Sequence, residues 1–294
     1  MGEKRIIDRA KLFIYEHARL LDRKRYEYHF EGGSKGAVIE ALRAYQNSDG
    51  GFGNGLEPDL RGPHSHPIPT EMALSLMEEL NSYDVQILEG INSYLREHTL
   101  SEGGVPFSLR SVNDYPHAPW WTAEEDSQPS INPTGRMLGL LYKQQTRPEI
   151  VQEEYFIRSV AYVWRYMEQE RPVGYHDGIH ALAFLQLTPE RERASQYQPI
   201  MDQWLSRPDT MERNPRAEGY VHKLLDWAPL PESYARKFIT DEELEEHLQV
   251  LITQQQEDGG WAIAWPPVSP AGEQEWRGLI TVERLLTLKA YGRL

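Results

Sequence analysis

The 294-residue chain contains no cysteine. Disulfides, thiolate zinc sites, iron–sulfur clusters and a thiol nucleophile are therefore excluded together. Long apolar runs are also missing: nowhere do about 18 consecutive apolar residues occur, as a membrane-spanning helix requires. The amino-terminal stretch MGEKRIIDRAKLFIYEHARLL carries charges throughout and has neither the apolar core nor the small-residue cleavage site of an export signal, so a cytoplasmic protein is expected. Basic residues are the minority, 31 against 45 acidic, for a formal charge of −14. That charge repels phosphate backbones and anionic membrane surfaces, leaving no nucleic acid and no membrane among the expected partners. Alternating β-branched runs bounded by turns are scarce, so a sheet would have little to build on.

What is present describes a globular chain with many turns: 39% apolar and 26% charged residues, with 22 glycines and 20 prolines. The length suits one large domain, expected over 1–294. A repeat organises it. Gln46-Asn47-Ser48-Asp49-Gly50-Gly51-Phe52 and Gln255-Gln256-Glu257-Asp258-Gly259-Gly260-Trp261 share the pattern Q-x-x-D-G-G-aromatic. Weaker versions occur at Gly103-Gly104-Val105-Pro106-Phe107, Gly174-Tyr175 and Gly219-Tyr220, each ending one apolar-periodic segment and opening another.

Segments before these turns carry an apolar stripe and a charged back, as in Val38, Ile39, Leu42 and Tyr45, or Leu244, Leu248 and Leu251. They read as helices with one wet face. Segments after the turns, such as Met72 to Leu80, Ile179 to Leu187 and Leu279 to Leu288, are apolar nearly all round, the mark of a buried helix. Alternation of half-wet and dry helices predicts an all-α fold, an (α/α)-toroid with dry helices inside and wet ones around them. Eleven helices are expected, at about 4–24, 35–46, 70–80, 86–97, 133–142, 150–168, 177–187, 192–205, 217–227, 242–255 and 276–290. A twelfth, which would complete six pairs, is not evident. Thr240 with Glu243 forms a capping box, and Asn132-Pro133 places a cap and a first-turn proline before a dry helix.

The two Q-x-x-D-G-G-[FW] motifs resemble the QW repeats of squalene-hopene cyclases and the glycine-rich repeats of protein prenyltransferase β subunits, the terpenoid cyclase/prenyltransferase superfamily. The stretch from Asp49 to Leu60 is similar to uncharacterised bacterial proteins of that superfamily. The resemblance implies the toroid fold, and assigns Gln46, Gln255 and Trp261 to tying helices together. The chain has neither the D-x-D-D motif of the protonating cyclases nor the D-D-x-x-D motif of ionising terpene synthases, and without cysteine the prenyltransferase zinc site cannot form.

If each glycine turn leads from an outer to an inner helix, the loops after the turns emerge at one end of the ring. Three are long, at about 53–69, 107–131 and 262–275, and long loops tend to be functional. Glu57 and Asp59 flank a proline, and a close carboxylate pair splits into one protonated and one ionised acid; the plainer reading makes them helix caps. His176 and His180 stand at i and i+4 on one helical face with Asp177 between them. That is metal-ligand spacing, although hydrogen-bonded cavity histidines share it, and neither metal nor cofactor is assigned. Glu57, Asp59, His176 and Asp177 are the candidate catalytic groups. Arg61, His64, His66, Trp120, Trp121, Glu125, Asn132, Tyr175, His180, Trp265, Glu275, Trp276 and Arg277 are expected to bind substrate. Arg61, Arg136 or Arg277 would suit an anionic head group near helix N-termini, and the tryptophans a carbocation or a sugar face. Trp164 and Trp204 read as core.

Three functions are compatible with this pattern. One is an enzyme with an aromatic and acidic central cavity, acting on an isoprenoid or similar apolar small molecule by acid-initiated chemistry. The second is a carbohydrate-active hydrolase or lyase on the same scaffold, and the third a non-catalytic module binding a peptide or protein. A dry, aromatic lining would mark the first; a wet, hydrogen-bonding lining the second.

Overall fold

In a computed structural model, which describes residues 3–169 and 172–294, the chain is all-α. Twelve α-helices and four short 3₁₀ turns occur among the described residues, where the only β pairing is isolated bridges. The chain divides into two compact units, Met1–Ala41 with Gln203–Leu294, and Leu42–Asp202. The first unit thus joins the beginning and the end of the sequence.

The stretch expected as one helix at 4–24 is two, α1 (Glu3–His17) and α2 (Leu20–Phe30), and this break supplies the missing twelfth helix. Arg19 between them is extended, with ψ 157°. Its Nε bonds Asp22 at 2.8 Å in the first turn of α2, and Arg25 pairs with the same buried carboxylate. Ala18 lies against Gly278 of α12 (Pro270–Ala290), where a β-carbon would stand 2.9 Å from that of Ala18. A break made by such contacts leaves no trace in periodicity. The helix expected at 217–227 shrinks to α10 (Leu224–Trp227), because the Lys223 N–H is taken by Asp226 at 2.8 Å and Glu212 bonds the His222 carbonyl. Between these lie α3 (Lys35–Arg43), α4 (Pro67–Glu79), α5 (Val85–His98), α6 (Ile131–Lys143), α7 (Glu154–Gln169), α8 (Tyr175–Leu187), α9 (Arg191–Leu205) and α11 (Asp241–Thr253). The alternation of wet and dry is observed. On α5 only Ile87, Leu88, Ile91, Tyr94 and Leu95 are buried, whereas α6 is buried along most of its length from Ile131 to Leu141.

Three of the five glycine turns are the same object. Gly50, Gly103 and Gly259 have φ of 88°, 88° and 97°, and a β-carbon on any of them would stand 2.1 Å from a helix carbonyl oxygen, that of Gly90, Arg158 or Arg9. Only glycine meets both demands. One turn further along each of those helices, Tyr94, Tyr162 or Phe13 fills the space against Gly51, Gly104 or Gly260. Gln46 and Gln255 each bond two carbonyls, those of Gly50 and Ile87 or of Gly259 and Ile6, stapling turn to helix. Each turn is then clasped to the following dry helix by a buried threonine: Phe52, Val105 and Trp261 donate their N–H to Thr70, Thr134 and Thr281 at 3.1, 3.0 and 3.2 Å. Gly174 and Gly219 meet no such helix, since a β-carbon on either would touch nothing. The glycine turn therefore occurs three times, with the glutamine staple in two of them.

Candidate functional site

Within Leu42–Asp202 the dry helices run parallel. Arg136 of α6 pairs with Glu71 of α4 at 3.0 Å, and seven residues on, Lys143 pairs with Glu78. Equal steps on both helices require the same direction. Likewise Gly135 lies against the His180 carbonyl of α8, and Gly139 against Ala183 and Leu187. The N-terminal ends of α4, α6 and α8 therefore share one end of this unit, and the loops leading into α4 and α6 meet there.

The first two long loops are tied together directly. Arg61 donates its N–H to Pro116 and Ala118 to Asp59, both at 3.1 Å, and the His64 ring meets Tyr115. The third long loop is shorter than expected, because α12 begins at Pro270, capped by Ser269. Glu57 and Asp59 are both buried, and Glu57 Oε2 accepts the Asp59 N–H at 2.7 Å. That bond makes Glu57 a brace of its own turn. Arg61 Nη1 bonds the Pro58 carbonyl at 3.2 Å. Trp121 is buried and stacked on Phe107, ring centroids 4.8 Å apart, while Trp120 is 45% exposed. Glu125 lies on the surface, bonded by Ser127.

Among the buried polar atoms at this end that have no hydrogen-bond partner in the described residues are His66 Nδ1, Trp121 Nε1, Asn132 Oδ1 and His180 Nδ1, with Ser108 Oγ in the second long loop. Burial, reinforced by neighbouring His64, pushes the His66 imidazole down to about 4. His180 is depressed well below the usual histidine range by burial, Arg136 and His176. His176 is exposed, and partial desolvation by its neighbours shifts it down against the pull of Asp177. All three rings are neutral at pH 7 and offer an acceptor nitrogen. Asn132 departs from helical geometry, with φ −95° and ψ 112°, and Asp177 accepts the Val173 N–H at 3.3 Å, closing the entry to α8 on which Tyr175 stands. No group of three or more potential metal ligands exists among the described residues. Glu71, with Ser75 bonded to it at 2.5 Å, was not anticipated from sequence. Its only advance signal is the spacing of Glu71 and Glu78 on one helix and of Arg136 and Lys143 on the other.

In the unit of Met1–Ala41 and Gln203–Leu294, Trp265 meets Trp276 at 5.2 Å and Tyr220 at 5.5 Å, nearly at right angles, and Tyr220, 55% exposed, touches His222. Glu275 beside Trp276 is half-buried. Arg277 belongs to the glycine turn instead of to a head group. Its Nη2 holds both Asp258 oxygens at 2.8 and 2.7 Å and Gln256 at 3.1 Å, with the guanidinium over the Phe13 ring.

No protein-family model and no curated protein matches the chain. It is similar to a solved structure, the crystal structure of a protein from Actinoplanes, at 15% identity over 98% of this chain and 99% of that one, with a TM-score of 0.55. The likeness is one of fold. No helix among the described residues is long and apolar enough to cross a membrane.

Proposed function

We propose that the chain is a carbohydrate-active protein whose site lies at the N-terminal ends of α4, α6 and α8. The observation that carries this reading is the set of buried, unpartnered polar atoms there, on His66, Trp121, Asn132 and His180. Leaving one such group unpaired costs about 1–3 kcal/mol, so four at one end call for a ligand rich in donors and acceptors. A sugar supplies both, with an apolar face to lie on an exposed ring such as Trp120. An isoprenoid supplies neither donors nor acceptors along its chain and would leave these atoms unpaired, so the polar lining favours the sugar over acid-initiated chemistry on an apolar substrate. The neutral imidazoles of His176 and His180 offer acceptor nitrogens to sugar hydroxyls at pH 7, and the charge of Asp177 keeps His176 the more basic of the two against its partial desolvation.

A thermal-shift series with oligosaccharides and prenyl diphosphates tests the reading. Oligosaccharides at about 100 times their dissociation constant should stabilise the protein by about 2.7 kcal/mol. Trp121→Phe, which keeps the stack on Phe107 and deletes one N–H, should weaken sugar binding about tenfold. Stabilisation by prenyl diphosphates alone would overturn the proposal.

A further inference from the structure

We infer that the sugar bound at this site carries a carboxylate, and that Arg136 is the residue that recognises it. The inference rests on the carbohydrate reading and adds the ligand's charge. Arg136 is fixed from one side only: its Nε faces Glu71 Oε1 at 3.0 Å, and that carboxylate is in turn held by Ser75. Its two Nη groups have no hydrogen-bond or ion-pair partner among the described residues, and the side chain is 38% exposed. A guanidinium pinned through Nε presents its Nη pair as a planar fork, the geometry that matches two carboxylate oxygens.

The helix ends here, and not a surplus of basic side chains, favour an anion at the fork. His180 and Tyr83, both within electrostatic reach of Arg136, are uncharged at neutral pH, and Glu71 balances the guanidinium's single charge. The dry helices here lack the side-chain caps of their outer counterparts. Asp84 bonds the first-turn N–H groups of α5 and Thr240 that of α11, whereas His66, Ser130 and Gly174 at the heads of α4, α6 and α8 make no such bond. The positive ends of three parallel helices are thus left facing the ligand side. The carboxylates at this end are engaged by backbone N–H groups: Asp177 by Val173, Glu57 by Asp59, and Asp126, which lies within electrostatic reach of His66, by Arg110.

The test compares oligouronates with their carboxyl-reduced, neutral counterparts of equal length by isothermal titration calorimetry. The uronates should bind at least about tenfold more tightly, as expected for a charge-assisted bidentate contact. Arg136→Gln should abolish that preference while retaining binding of the neutral sugars. Glu71→Gln, which frees the guanidinium of its competitor, should enlarge it; a merely structural ion pair would lose binding of both sugars alike in both variants. Equal affinity for acidic and neutral sugars in the wild type overturns the inference and leaves the carbohydrate reading standing. Binding of neither overturns both.

Discussion

A single hydroxyl does the same work at Thr70, Thr134 and Thr281, accepting the N–H of the residue that follows each glycine pair. Replacing Thr281 by valine keeps shape and volume but strands the buried Trp261 N–H. Urea denaturation should show a loss of about 1–3 kcal/mol, largely restored by serine; an unchanged midpoint would remove the clasp from the account. His66 makes a pH-dependent contribution that can be signed. Its folded pKa, about 4, lies below the unfolded value near 6.5. Between these values the unfolded chain binds the extra proton, so stability rises with pH across that window and falls as pH drops from 6.5 towards 4. The span is worth about 3 kcal/mol, and His180 acts in the same direction. A His66→Asn variant, followed by denaturation at several pH values, should lose about that much less than the wild type between pH 6.5 and 4.

At the scale of elements, the repeat was legible because its chemistry is unforgiving. A left-handed glycine set against a helix carbonyl tolerates no other residue, so Gly50 and Gly259 advertise their roles, and Gly103 does so within a degraded motif that keeps only the glycine pair. Gly174 and Gly219 look alike in sequence yet touch no helix, since a glycine followed by an aromatic ring does not encode what lies beside it. Dry and wet helices were readable for the same reason that burial is, one apolar stripe or many. The break between α1 and α2 was not, because it is made by Gly278 and Asp22 acting on Ala18 and Arg19. The Glu71–Arg136 pair was half visible: Arg136 was a candidate for an anionic group, but its partner lies on another helix and emerges only once α4 and α6 are known to be parallel. Arg277 shows the converse. Its position at the head of a dry helix suggested a ligand, while the acid that claims it belongs to the turn motif itself.

Across the whole chain the three turns form a sequence of handovers. The turn at Gly50 rests on α5, the turn that ends α5 rests at Gly103 on α7, and the turn after α11 rests at Gly259 on α1. The last contact ties the C-terminal part of the sequence to its first helix, through Gln255 on the Ile6 carbonyl and Arg9 on the Gln256 carbonyl. Each turn therefore stabilises a helix that is not its neighbour in sequence order alone, and damage to a turn should appear in the helix it rests on. Gly50→Ala, Gly103→Ala and Gly259→Ala each force a β-carbon onto a carbonyl oxygen at a φ that disfavours it, at a cost of about 3 kcal/mol or more. Hydrogen–deuterium exchange should show amide protection falling first in α5 for Gly50→Ala, in α7 for Gly103→Ala and in α1 for Gly259→Ala. The last case is the most discriminating, because the affected amides lie some 250 residues from the substitution. Loss of protection confined to the segment around residue 259, with α1 unchanged, would mean that the glycine serves only its own turn and that α1 is held by α12 without it.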